Sequence, residues 1–358
     1  MLPIFSYFSI FLYTSLLLSR PIFPARIMPD AVTIIAANNT AHSATWHDFA
    51  RFLDAEMGSN ITGMSELKKY FTRFGYLSLS YPNFTDVFDT QLQSAVVLYQ
   101  TRLGLPVTGK LDSETISTIM SPRCGVSDTS FRQKIHATKR YSYFYGKPRW
   151  ARESPMTLTY AFSKTDMIDY IGLTDVKAAF KRSFQRWSSV IPVNFTEIYD
   201  YDSADIHIGF YHGDHGDGQP FDGVLGVLAH SFSPENGRFH FDAAETWAVD
   251  LESVKSRVAV DLESVATHEI GHVLGLAHTS VKEAVMYPSL TPRTRKVDLK
   301  VDDVEGVQAL YGSNPNFKFS SLLESENFSN DAIALKGRTS KWTINSLLVV
   351  LFLLSLIT

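Results

Sequence analysis

The sequence predicts an α+β protein in two folded parts: a small helical module, then a larger one in which three helices accompany a mixed sheet. Three observations carry that reading. From Gly63 to about Thr118 the apolar residues recur at helical spacing. From Leu158 onward, short alternating runs are interleaved with longer helical stripes. Composition permits both cores, since 45% of the 358 residues are hydrophobic and the formal net charge is −4. No basic cluster is long enough to suggest a nucleic-acid partner.

Leu2 to Leu18 is almost wholly apolar and aromatic and ends at Arg20, the pattern of a secretory signal peptide over residues 1–20. Secretion agrees with glycosylation sequons at Asn38, Asn60, Asn83, Asn194 and Asn327. There is one cysteine, Cys124, and a secreted chain with one Cys has no internal disulfide and needs another role for the thiol. Asp30 to Asn60 is polar and aperiodic, and reads as a loose segment. Leu67, Tyr70, Phe71, Phe74 and Tyr76 then form the stripe of a first helix. Asp89 begins a second, with Leu92, Ala95, Val96, Tyr99 and Leu103 on its inner face. Gly104 to Gly109 is turn-rich, and Leu111-Asp112 opens a third helix running to about Met120. Arg132 to Arg140 is polar and basic, and reads as an exposed linker.

In the second part, Leu158 to Phe162 alternates like a strand. Thr174 to Val190 is a long helix with Val176, Ala179, Phe180, Phe184 and Trp187 as its buried stripe. Asn194 to Glu197 and Ala204 to Phe210 are further strands, and Val301 to Tyr311 is a last helix capped by Gly312. Beyond Gly312 the chain is polar, a linker over 314–330. It ends in an apolar run, Leu347 to Ile357, shorter than the roughly 20 residues of a spanning helix. Small residues at Ser329, Asn330, Asp331 and Ala332 precede a spacer containing Lys336, Arg338 and Lys341. That order matches a GPI-anchor signal, with attachment at Asn330 and removal of residues 331–358. It would place the protein on the outer face of the plasma membrane, held there by lipid. A short span or a buried terminal helix is the alternative.

The chemistry is concentrated between His268 and His278. His268 and His272 lie four residues apart, so on a helix they share a face and can grip one metal ion. Glu269 adjoins the first of them and can reach a water there. Gly275 can leave the helix in a left-handed turn that swings His278 round. Three protein nitrogens leave the fourth position of tetrahedral Zn²⁺ open, which distinguishes a catalytic site from a structural one. The plainer reading, surface histidines on an amphipathic helix, explains none of this spacing.

On these residues, with Val285-Met286-Tyr287-Pro288 placed as a methionine turn and Thr279 after the third histidine, the chain resembles the metzincin metalloproteases. Among them it resembles the matrixins (matrix metalloproteinases), in the plant layout without a hemopexin-like module. The resemblance implies a catalytic domain over 141–313 built on a twisted mixed five-stranded sheet with three helices. A small three-helix, peptidoglycan-binding-like propeptide domain would precede it within 21–140, helical over about 63–120. Pro122-Arg123-Cys124-Gly125-Val126-Ser127-Asp128 resembles the cysteine switch of that family, with Ser127 where the family usually has Pro. Cys124 would fill the open zinc position of the zymogen, Arg123 would pair with Asp128, and an activating cut would fall near Tyr141.

A second constellation, His215, Asp217, His230 and His240, resembles the structural zinc loop of matrixins, although His212 and Asp214 offer a rival pair. Asp222, Asp242 and Glu245 are hard oxygen donors suited to calcium. The resemblance gives them one Ca²⁺ with the carbonyls of Gly223, Leu225 and Val227, and a second site through Asp205. The expected cofactors are therefore two Zn²⁺ and at least one Ca²⁺. The expected function is a secreted, zymogen-activated zinc endopeptidase, monomeric, with Glu269 as base and extracellular proteins as substrates. By the same resemblance the strand around Leu228 and Ala229 pairs with the substrate backbone, and Val285 to Leu290 walls the main pocket. The alternative is a non-catalytic zinc- or cell-wall-binding module on a degenerate protease fold. Glu269 discriminates, because a dead homologue would be free to lose it.

Overall fold

The computed structural model describes residues 46–78, 84–129, 141–320 and 322. The signal peptide, Asn38, Asn83, the Arg132–Arg140 linker, Asn327, Asn330 and the apolar tail lie outside them. No helix among the described residues is long and apolar enough to cross a membrane. Asn60 and Asn194 are both exposed.

The stretch expected to be loose is structured from residue 46 onward. A 3-10 helix, Trp46–Phe52, buries Phe49 and Phe52 in the helical module. These two rings stand three residues apart and share a face at three residues per turn, a spacing too short to announce a period. Helices α1 (Met64–Arg73), α2 (Thr90–Arg102) and α3 (Ser113–Ile119) follow. The side chains of Asp89 and Asp112 cap the last two, accepting from Leu92 N and Thr115 N, each at 2.9 Å. Every residue of the two predicted stripes is buried. So is Lys68, whose ammonium is paired with Asp89 at 2.6 Å, the usual condition for burying a charge.

The larger module holds β3 (Met156–Phe162), β4 (Val193–Glu197), β5 (Ile206–Tyr211), β6 (Val227–Ser231) and β7 (Arg238–Asp242). These form the expected mixed sheet in the order β6-β7-β5-β3-β4, with β6 antiparallel to β7 and the other neighbours parallel. A sixth strand departs from the five-strand expectation. β1 (Arg123–Cys124), from the switch segment, adds to the outer edge of β6 in parallel, with Cys124 opposite Ala229. β2 (Ser142–Tyr143) pairs instead with β10 (Leu276–Ala277), and β8 (Trp247–Ala248) with β9 (Val260–Asp261).

Three helices complete the module: α4 (Leu173–Val190), α5 (Leu262–Val273) and α6 (Val301–Tyr311). α5 is buried along its whole length, so its free ends need partners. Asp261 caps the start, accepting from Ser264 N at 2.7 Å. At the far end, Trp150 Nε1 donates to Val273 O at 2.8 Å, and Tyr311 Oη to Leu274 O at 2.9 Å. Midway, Trp187 of α4 donates to Thr267 O at 2.9 Å. The helix that carries His268, Glu269 and His272 is therefore held at both ends and in the middle. The core of the helical module continues into the larger one through Phe221, Val227 and Tyr287.

Candidate catalytic site and metal centres

α5 places His268 and His272 one turn apart, and the chain then leaves it at Gly275, whose φ is 104°. Only glycine suits this corner, since a Cβ there would also lie 2.3 Å from Pro148 O. The turn delivers His278. Nε2 of His278 lies 3.3 Å from His268 Nε2 and 3.1 Å from His272 Nε2, and Cys124 Sγ lies 3.4 Å from His272 Nε2. All four residues are buried.

The other ring nitrogens decide what this cluster can hold. His268 Nδ1 lies 2.7 Å from Val285 O, and His272 Nδ1 2.7 Å from Leu276 O. His278 Nδ1 lies 2.6 Å from Asp128 Oδ1. Each of these partners is an acceptor, so each Nδ1 carries the hydrogen and each Nε2 presents a lone pair. Lone pairs facing one another at 3.1–3.3 Å repel unless a cation lies among them. Tetrahedral zinc with Zn–N bonds of about 2.0–2.1 Å would set its nitrogens about 3.3–3.4 Å apart, close to the observed 3.1–3.3 Å. Burial pulls all three imidazoles down, which keeps them neutral as ligands must be. Burial and then the Glu269 carboxylate push the Cys124 thiol up, a balance that a nearby cation reverses.

Glu269 stands beside the cluster, with Oε2 accepting from Ser231 Oγ at 2.6 Å, and burial pushes its carboxyl up to about 7. Met286 is buried against α5. A Cβ added at Gly271 would lie 2.2 Å from its sulfur, so the methionine turn touches the helix between the two histidines. Asp303 of α6 fixes that turn by accepting from Val285 N at 2.9 Å and Met286 N at 3.0 Å.

The switch segment threads between the edge of β6 and the chain after Met286. Arg123 N donates to Gly226 O, Gly125 N to Ala229 O, Cys124 N to Pro288 O, and Leu290 N to Pro122 O, at 2.8–3.0 Å. Arg123 is buried, 2.6 Å from Asp128 and stacked 3.7 Å over the Phe74 ring. Burial opposes the charge on Asp128, but Arg123 and His278 outweigh it and hold the carboxyl well below the usual range. Tyr76 Oη also donates to Asp128, at 2.7 Å. Ser127 Oγ lies 3.0 Å from the carbonyls of Phe74 and Thr129, so a hydrogen bond tethers the loop where the family has a proline.

The second cluster gathers His215, Asp217, His230 and His240; their ligand atoms, like those of the first cluster, all lie within 4.8 Å of one another. Asp217 Oδ2 is its hub, 3.0 Å from His215, 2.7 Å from His230 and 3.0 Å from His240. Burial pulls His230 and His240 down to about 4. The rival pair, His212 and Asp214, is not in the cluster. Asp222, Asp242 and Glu245 are not gathered in such a cluster and accept instead from backbone amides of the same loop. Gly223 N donates to Asp242, Leu225 N to Glu245 and Val227 N to Asp222, at 2.7–3.1 Å. Glu245 Oε2 is buried without a hydrogen-bond partner. Burial, reinforced by the neighbouring carboxylates, pushes Asp242 up to about 6 and Glu245 well above its ordinary value. Asp205 lies elsewhere, accepting from Thr159 N and Oγ1 and paired with Arg152, which also reaches Glu235.

Comparison with known proteins agrees with this geometry. The matrixin family matches residues 149–312, and a peptidoglycan-binding domain family matches residues 62–119. Metalloendoproteinase 1-MMP of Arabidopsis thaliana is 57% identical over 311 residues, which is 85% of each chain. The chain belongs to the matrixin family. Metalloendoproteinase 1 of Glycine max is 45% identical over 74% of this matrixin and 87% of its own length. Human neutrophil collagenase is 40% identical over 60% of this chain and 42% of its own. This matrixin is thus a zinc metalloendopeptidase with a peptidoglycan-binding-like helical domain ahead of its catalytic domain.

Sequence reasoning passed over several residues that complete the site. Ser231, Asp303 and the contact of Asp128 with His278 come from segments distant in sequence. Only the position of Asp303 in the first turn of a predicted helix hinted at a capping role.

Proposed function

We propose that this matrixin is made as a latent, secreted precursor whose switch segment blocks the catalytic zinc until the helical domain is cut away near Tyr141. The observation that carries this is Cys124 Sγ at 3.4 Å from His272 Nε2, inside the three-histidine cluster and donated by the helical domain's own chain. Bound zinc supplies Lewis acidity that activates water and polarises the scissile carbonyl. Glu269 takes the proton of the attacking water and passes it to the leaving amine. Ser231 holds the Glu269 carboxylate, and the carbonyls of Val285 and Leu276 hold two of the ligand rings. A second zinc at His215, Asp217, His230 and His240, and a calcium at Asp222, Asp242 and Glu245, belong to the same reading. The buried, unpartnered Glu245 Oε2 supports the calcium. Extracellular proteins are its substrates, the active form is a monomer, and the C-terminal signal tethers it to the plasma membrane through a GPI lipid.

Latency is tested with the intact precursor. Cys124→Ser, or a mercurial on the wild type, is expected to give peptidase activity without any cleavage of the chain. An intact precursor already fully active, with Cys124 freely alkylated, overturns the switch. Release from intact cells by phosphatidylinositol-specific phospholipase C tests the anchor. Protein that stays bound and still carries the Leu347–Thr358 peptide overturns it.

A further inference from the structure

The loop over residues 220–227 supplies Asp222 to the proposed calcium site, and the chain ahead of the catalytic domain grips this loop at both ends. At one end Arg73, the last residue of α1, donates from Nη2 to Pro220 O at 2.9 Å and holds Nη1 3.9 Å from Asp222 Oδ2. At the other, Arg123 N of the switch segment donates to Gly226 O at 3.0 Å. Asp222 Oδ1 accepts from Val227 N at 2.7 Å, and Oδ2 is the oxygen that faces Arg73. The charge of Asp242 also acts on Arg73. A guanidinium is a partial stand-in for a divalent ion here. Arg73 is partly exposed and meets the rim of the loop, while the three carboxylates still oppose one another's charge and Glu245 Oε2 stays buried without a hydrogen-bond partner.

We infer that Arg73 couples latency to calcium: its guanidinium docks the helical domain on the charge of Asp222, so that the docked domain and a calcium ion at this loop oppose one another. The inference rests on the latency and calcium readings above and adds what the ion does to the precursor. Even across a water-like dielectric, a unit charge and a doubly charged ion about 6 Å apart repel by an amount worth about tenfold in an equilibrium constant. Coupling is reciprocal, so calcium loosens the Arg73 contact by the factor by which that contact weakens calcium binding. Holding the loop in shape through Pro220 O and Gly226 O acts in the opposite direction. Substitution of Arg73 separates the two effects in part, because Gly226 O is held by a backbone amide that no change at Arg73 removes.

The competing outcome is that Arg73 is a plain clasp between domains, indifferent to the ion. The test measures calcium binding to the intact precursor by equilibrium dialysis with radioactive calcium, in the wild type, Arg73→Lys, Arg73→Gln and Arg73→Glu, with Asp222→Asn to mark the site. Affinity should follow the charge at position 73: Arg73→Lys stays near wild type, Arg73→Gln binds about tenfold more tightly, and Arg73→Glu more tightly still. The gap between wild type and Arg73→Gln should narrow as salt is raised, and should vanish in an Asp222→Asn background. Calcium should also speed alkylation of Cys124 in the wild type, and do so less in Arg73→Gln. Equal affinity in wild type, Arg73→Gln and Arg73→Glu, or an equal rise in all three variants including Arg73→Lys, overturns the inference while leaving the calcium site intact. Absence of saturable calcium binding in every precursor overturns the calcium reading and the inference with it.

Discussion

The two histidine clusters gather similar side chains in different surroundings. In the second, all four groups come from the catalytic domain, no glutamate base adjoins them, and one carboxylate oxygen touches all three rings. Nothing in it is free to leave. In the first, three histidines come from the catalytic domain and the cysteine from the segment ahead of it, with Glu269 alongside. Even the orientation of the rings divides this way. His268 and His272 are aimed by carbonyls of their own domain, whereas His278 is aimed by Asp128 of the switch segment. A metal site becomes a reactive one when one ligand is held less permanently than the rest and a base stands ready beside it.

Substitutions can break or sharpen this contrast. The largest effect is expected at Glu269. Glu269→Ala should keep the fold and the metal yet lower kcat by roughly 10²–10⁴, the usual worth of a positioned acid–base group. His272→Ala should instead lose one metal equivalent, seen by elemental analysis. Turnover of Glu269→Ala at the wild-type rate would remove the distinction between the clusters. Next, Asp217→Ala should lower stability by several kcal/mol, because a structural metal contributes directly to folding. Thermal unfolding and metal content would follow this, while kcat per folded molecule stays close to wild type. An unchanged melting curve would count against a structural metal there.

Smaller effects come from groups that touch a ligand or base without being one. Asp128→Asn in a Cys124→Ser precursor should weaken zinc retention by about 10–100-fold, the typical cost of losing the partner of a ligating imidazole. Competition with a chelator gives the number, and equal retention in the two precursors would mean His278 needs no such partner. Ser231→Ala removes one hydrogen bond from Glu269, worth about 1 kcal/mol, and should lower kcat only about fivefold. A loss as large as that of Glu269→Ala would make Ser231 part of the chemistry.

Much of this was legible in the sequence because it is local. The ligands His268 and His272 follow from helical geometry, His278 from Gly275, and the stripes of α1, α2 and α4 from their period. What was not legible depends on distant segments meeting. Asp128 reaches His278 across 150 positions, and Asp303 reaches the methionine turn from α6. The 3-10 helix at residue 46 escaped because two rings three residues apart make no pattern. The sixth strand escaped because two residues of chain carry no alternation; only the open edge of β6 makes them a strand.

That edge has a consequence for what the enzyme can attack. Without β1, as the proposed activation would leave it, the edge of β6 has its outer amides and carbonyls unpaired, a template for one more strand. An occupant has to arrive as extended chain, so a helix or a tight turn must first come undone. Vulnerability of a target then depends on how cheaply a short stretch of it opens, as well as on which side chains flank the cut. Two proteins with the same peptide sequence, one in a loop and one in a stable helix, would differ in lifetime by the equilibrium constant of that local opening.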